Sequence, residues 1–171
     1  MQAVIYEKIF YYNDIRLSKP GTFRFMDICR SLRYIFAMFE IRVEADFSAA
    51  HFLRDYNGKC ENLHGHNYKI FAHVRGNTLD GGGMLMDFSR LKKTVRKICG
   101  ELDHTNLNGM EFFRDNPSAE RIAMYIYGRI LSEMNDSGLS IEYIPDFPEK
   151  THLYAVDVFE TETSRARYSV Y

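Results

Sequence analysis

The chain has 171 residues, 46% hydrophobic and 26% charged, which suits one globular core and excludes the polar, highly charged composition of disordered chains. A formal net charge of -1 supplies no general cationic field for a phosphate backbone, so nucleic-acid binding is not expected. The longest apolar stretches, such as Tyr34 to Phe39, fall far short of the roughly 20 residues that cross a bilayer, and no membrane span is expected.

The N-terminus lacks the charged, apolar and small-residue pattern of a secretory signal, which favours a cytoplasmic protein. Three cysteines at irregular spacing, Cys29, Cys60 and Cys99, do not read as a disulfide framework, and reduced thiols are expected. Residues 1–37 are rich in Tyr and Phe and broken by a Lys19-Pro20-Gly21 turn. They read as an N-terminal extension of uncertain structure, whose aromatic residues pack on the domain or on a partner subunit, unless the natural start is Met38. Residues 38–171 read as the folded domain.

From Phe39 to Phe47 apolar and charged residues alternate, the period of a half-buried strand. After a turn at Asp55-Tyr56-Asn57-Gly58, Tyr68, Ile70, Ala72 and Val74 alternate again. Gly76 and Gly81-Gly82-Gly83 then suggest a hairpin connection to a returning strand beginning at Met84 to Met86. Asp87 is a natural helix N-cap, with Leu91, Val95, Ile98 and Leu102 following at helical spacing and Lys92, Lys93, Arg96 and Lys97 turned to solvent.

A second amphipathic helix is expected to open at Asn116-Pro117, with proline in its first position, and to end at Gly138. Strands are expected over 139–144, 153–159 and about 165–171. Two strands, two helices and further strands, without regular alternation, predict an α+β fold on an antiparallel sheet.

The stretch Cys60-Glu61-Asn62-Leu63-His64-Gly65-His66 carries the chemistry. On an extended backbone positions i and i+2 face one side, so His64 and His66 can converge on one ion, with Gly65 keeping the backbone between them slim. Pairing of the first strand with its neighbour would bring His51 alongside. Three imidazoles with a fourth place open are a common catalytic zinc site; the alternative is exposed or hydrogen-bonded histidines. His73 and His152 read as surface or packing residues.

Cys60 lies close enough to feel a metal's charge, which would favour its thiolate as a base; the alternative is a fourth zinc ligand. Cys29 and Cys99 read as structural. In Asp103-His104 the carboxylate can fix the tautomer of the imidazole, or the pair simply ends a helix. Glu160 ends an apolar strand and can accept two parallel hydrogen bonds from an amidine-like ring edge. Glu120 is open between helix N-terminal stabilisation and a place in the site.

The motifs Phe47-Ser48-Ala49-Ala50-His51, Cys60 to Tyr68, Met86-Asp87-Phe88, Leu102-Asp103-His104 with Leu107-Asn108, Asn116-Pro117-Ser118-Ala119-Glu120, and Glu160-Thr161 occur in an order that resembles the 6-pyruvoyltetrahydropterin synthase family. The resemblance spans about residues 38–168. It implies the tunnelling fold, an antiparallel sheet with two helices on one face, assembled into an oligomeric barrel, often a homohexamer of two trimers with sites between subunits.

The resemblance also implies that His51, His64 and His66 hold zinc, that Cys60 abstracts a proton and that Asp103 and His104 form its relay, a relay that can come from a neighbouring chain. Glu160 would anchor a pterin ring, with Glu120 and Ser118 also on the substrate. The short gap between Cys60 and His64 looks like the 6-carboxytetrahydropterin branch of queuosine biosynthesis. That branch turns dihydroneopterin triphosphate into 6-carboxytetrahydropterin, acetaldehyde and triphosphate. A pyruvoyl-forming or side-chain-cleaving lyase, or a zinc-stabilised pterin-binding module without turnover, are the alternatives. Two features depart from the family pattern: the chain ends Tyr168-Ser169-Val170-Tyr171 instead of an Arg-Gly-Glu-like tail, and residues 1–37 have no counterpart. Lys59 and Arg54 are the candidate triphosphate contacts.

Overall fold

A computed structural model describes residues 38–114, 116–144 and 150–170. The chain divides into two units, 1–37 and 38–171, and the expectations for the first unit, Cys29 included, lie outside the described residues.

The second unit is built on a five-stranded sheet. Strand β1 runs Phe39–His51 and β2 runs His64–Gly76, antiparallel to it. Helix α1 follows at Phe88–Leu102, then a two-residue strand β3 at Thr105–Asn106 and helix α2 at Ala119–Asp136. Strands β4 (His152–Thr161) and β5 (Ser164–Ser169) complete the sheet in the order β3-β1-β2-β4-β5. The expectation of an antiparallel sheet is corrected to a mixed one, because the chain leaving α1 lays β3 parallel to β1 at Ala49 and Ala50 while the other pairs are antiparallel.

The period of two decides which side is core. Val43, Ala45, Phe47 and Ala49 of β1, and Tyr68, Ile70, Ala72 and Val74 of β2, are buried on one face. Against that face α1 turns Leu91, Val95, Ile98 and Leu102, and α2 turns Ile122, Ile126, Ile130 and Met134. Asp87 caps α1 as expected, its carboxylate accepting from Ser89 N–H at 2.8 Å. Gly138, at φ 76°, takes the left-handed conformation that stops α2.

Three expectations along the chain are also corrected. No strand forms at Met84 to Met86: both edges of β2 are already occupied, by β1 and β4, so a hairpin partner has no place, and Asp80 instead turns the chain by accepting from Gly82 and Met84 N–H. The 139–144 segment is not a strand; Ile141 is buried in the core, and its carbonyl accepts one bond, 2.7 Å, from Leu153 N–H. Helix α2 begins later than Pro117, with Ser118 as its N-cap.

His73 and His152 are buried, so neither is a surface residue. His73 sits between two carboxylates, Nδ1 at 2.8 Å from Glu40 Oε1 and Nε2 at 3.0 Å from Asp157 Oδ2.

Candidate metal centre and its surroundings

The register of β1 against β2 builds the site. His51 is paired with His64, and Ala49 with His66, so all three rings project from the same face and the same end of the strand pair. One ring nitrogen from each lies within 4.8 Å of the others. Gly65 suits this close approach: a Cβ at that position would stand 3.3 Å from the Ala49 carbonyl oxygen, a tight contact.

Backbone carbonyls fix how two of these rings are presented. His51 Nδ1–H donates to Pro117 C=O at 2.8 Å, and His64 Nδ1–H donates to Asn62 C=O at 2.7 Å. In each ring that leaves Nε2 with its lone pair free to bind an ion. His51 is 1% exposed, and its Nε2 is buried without a hydrogen-bond partner among the described residues. A buried acceptor left unpaired is costly, and a cation drawn by three neutral imidazoles removes that cost. The donor set therefore fits a divalent metal with nitrogen preference.

Glu160 closes the group from β4, Oε1 standing 3.3 Å from His51 Nε2 and 3.6 Å from His66 Nε2. These imidazoles, His51 foremost, hold its carboxyl below the usual range against the opposing effect of burial, so it is ionised at neutral pH. Burial alone would depress His51, but the Glu160 carboxylate and the Pro117 carbonyl outweigh it and raise its pKa. His66 is depressed, chiefly by burial. Tyr68 lies beneath the rings, its centroid 6.0 Å from His51 and 5.7 Å from His66, with a buried hydroxyl that has no partner among the described residues.

Asp103 and His104 stand at the C-terminus of α1 on the edge of the sheet. Asp103 Oδ1 accepts from Ser48 N–H at 2.8 Å, and its Oδ2 holds His104 Nδ1 at 2.8 Å. His104 takes a left-handed backbone (φ 56°), donates its N–H to Ser48 C=O, and is 83% exposed at its side chain. The pair thus ends the helix and also forms a carboxylate–imidazole dyad. His104 of the pair borders an open cleft of about 500 Å³ shared with Ser48, Gly65, His66 and Thr105.

Cys60 is half-buried in a single helical turn, Lys59–Glu61, and is not among the atoms grouped around the three histidines. Burial pushes the Cys99 thiol up to about 12, in keeping with a structural role. Ser118 caps α2 by accepting from Arg121 N–H at 3.5 Å, and Glu120 is exposed in the first turn of the same helix. Arg54 donates through Nη1 to Arg114 C=O at 2.7 Å, and Lys59 is exposed beside Cys60. The carbonyls of Pro117 and Asn62 escaped the sequence reading, because a backbone oxygen carries no residue-type signature.

Residues 40–170 match the family model described as 6-pyruvoyl tetrahydropterin synthase. The chain is 36% identical over 139 residues to 6-carboxy-5,6,7,8-tetrahydropterin synthase of Bacillus subtilis (strain 168), covering 78% of this chain and 84% of that protein. It is 42% identical over 86 residues, half of this chain and 69% of the other, to dihydroneopterin monophosphate aldolase of Pyrococcus furiosus. The solved structure of Caenorhabditis elegans 6-pyruvoyl tetrahydropterin synthase superimposes with a TM-score of 0.63 at 28% identity, over 79% of this chain and 97% of that one.

Proposed function

Because the chain belongs to the 6-pyruvoyl tetrahydropterin synthase family, we propose that it is a zinc-dependent 6-carboxy-5,6,7,8-tetrahydropterin synthase. It converts 7,8-dihydroneopterin triphosphate to 6-carboxytetrahydropterin, acetaldehyde and triphosphate, in queuosine biosynthesis in the cytoplasm. The observation that carries this reading is the convergence of His51, His64 and His66 beside the ionised Glu160.

His51, His64 and His66 hold the metal through their free ring nitrogens. Bound there, zinc supplies Lewis-acid polarisation of the hydroxyls on the substrate side chain. Glu160 anchors the pterin, its carboxylate accepting two parallel N–H bonds from the amino-pyrimidinone edge. Cys60 removes a carbon-bound proton as thiolate. Asp103 keeps the proton of His104 on Nδ1 and so leaves Nε2 to exchange protons with substrate.

The exposure of the dyad supports a site completed between subunits, in a closed barrel of trimers paired as a homohexamer. Ser118 and Glu120 lie toward the substrate in this arrangement, and Lys59 and Arg54 take the triphosphate. A second reading has a specific observation behind it, the identity to a monophosphate aldolase, and it differs in product.

Purified protein supplied with dihydroneopterin triphosphate is expected to release acetaldehyde and a carboxypterin, read by mass spectrometry alongside metal content. A pyruvoyl product, or cleavage of the monophosphate in preference, overturns the carboxy assignment. Cys60→Ala is expected to abolish turnover and retain zinc, and His64→Ala to lose the metal. Loss of zinc from Cys60→Ala would make the thiol a ligand.

A further inference from the structure

Past the end of β1 the chain remains paired where no strand of the sheet runs beside it. Asn108 Oδ1 accepts from Phe52 N–H at 2.8 Å, and Asn108 Nδ2 donates to Phe52 C=O at 2.8 Å. Asn116 repeats the arrangement two residues on, accepting from Arg54 N–H at 2.6 Å and donating to Arg54 C=O at 3.1 Å. A carboxamide offers an acceptor and donors in one plane, as a peptide unit does, so these two side chains replace a neighbouring strand.

Residues i and i+2 of an extended segment direct their peptide groups to one edge, and the residue between directs its own to the other. Leu53 lies between, and its N–H donates to Cys60 C=O at 2.8 Å. The asparagines therefore grip one edge of the 52–54 segment while Cys60 is attached to the opposite edge. Glu61 braces the intervening loop, its Oε1 accepting from Tyr56 and Asn57 N–H, both at 3.1 Å.

His51 has a separate hold: it is paired with His64 in the sheet and fixed by Pro117 C=O. Loosening the 52–54 segment thus reaches the thiol before it reaches the histidine cluster.

We propose that Asn108 and Asn116 are positioning residues for Cys60, acting through the backbone of Phe52, Leu53 and Arg54. The catalytic consequence rests on Cys60 being the base; the mechanical link does not. Displacement of a reacting group by about 1 Å costs on the order of 100-fold in rate, so the clamp controls kcat while leaving metal affinity in place, and a smaller change in KM reports the Arg54 and Lys59 that the same segment carries.

The test uses Asn108→Ala and Asn116→Ala in the full chain. Zinc content, kcat, KM, the rate of Cys60 alkylation by iodoacetamide followed on its own peptide, and amide exchange over 52–60 are measured together. Asn108 is the cleaner site, since Asn116 adjoins the Pro117 carbonyl that orients His51.

Zinc content is expected at the parental level, with kcat down about 10- to 100-fold and any rise in KM smaller than the fall in kcat. Amide exchange over 52–60 is expected to rise and the Cys60 alkylation rate to change. Parental alkylation and exchange would overturn the proposal, as would loss of zinc in step with kcat, which marks a general structural role. Should either alanine variant fail to fold, Asn108→Asp carries the test. It keeps an acceptor for Phe52 N–H but sets a second oxygen against Phe52 C=O, and the same pattern is expected. If Cys60→Ala proves active, the base assignment fails on that result, while alkylation and exchange still decide the clamp.

Discussion

Asp157→Asn tests the buried charge cluster on the sheet. Asp157 is 3% exposed, and Arg167 donates to it through Nε at 2.7 Å and Nη2 at 2.8 Å, with His73 Nε2 at 3.0 Å. Breaking a buried pair typically costs about 3–5 kcal/mol, because the surviving charge is left without compensation. Arg167 is 31% exposed and His73 keeps its Glu40 contact, which places the expected loss near the lower end, about 3 kcal/mol. For a domain of this size that corresponds to a fall in Tm of about 10 °C at pH 7.

The pH dependence has a definite sign. Burial pushes the Asp157 carboxyl up, but Arg167 and then His73 outweigh it and hold it below its ordinary value of 3.8. The stability it contributes is complete above that value and is lost as pH falls through the lower folded value. The Tm difference between parent and variant, measured by calorimetry, should therefore shrink as pH falls below about 4. A fall of under about 2 °C at pH 7, or a difference that grows as pH falls below about 4, would refute the cluster as a net stabilising element.

Asp103→Asn keeps an acceptor for Ser48 N–H but no longer fixes the tautomer of His104; kcat is expected to fall about 100-fold with zinc retained, and turnover within about threefold of the parent would remove the dyad from the mechanism. Tyr68→Phe removes a buried hydroxyl that has no partner among the described residues, so apo-protein stability measured by denaturant titration should be unchanged or higher by about 1 kcal/mol. A clear loss of stability would show that the hydroxyl is bonded.

Legibility in the sequence followed the range of the interaction. The alternation in β1 and the apolar stripes of α1 and α2 are local, and each formed. Strand β3, two residues long, has too little length for a period, and the absence of a strand at Met84 to Met86 is set by a distant part of the chain, where β4 takes the edge of β2. The histidine cluster was visible because i and i+2 on a strand must share a face, and it needed one pairing of β1 with β2 to admit His51. The bond from His73 to Asp157 joins residues 84 apart, which no local pattern predicts.

The site and the core have the same determinant. On the core face β1 runs Phe47, Ala49, His51, β2 runs Tyr68, His66, His64, and β4 runs Val156, Val158, Glu160. The period that buries apolar side chains along most of each strand delivers three imidazoles and a carboxylate at one end. A one-residue slip of β1 against β2 would move Phe47 out of the core in the same step that separates His51 from His64. Packing energy spread over the whole sheet therefore holds the register that brings the three imidazoles together, and carbonyls at Pro117 and Asn62 have only to set ring orientation. Cys60, outside the sheet, has no such protection, which is why its position falls to side-chain amides.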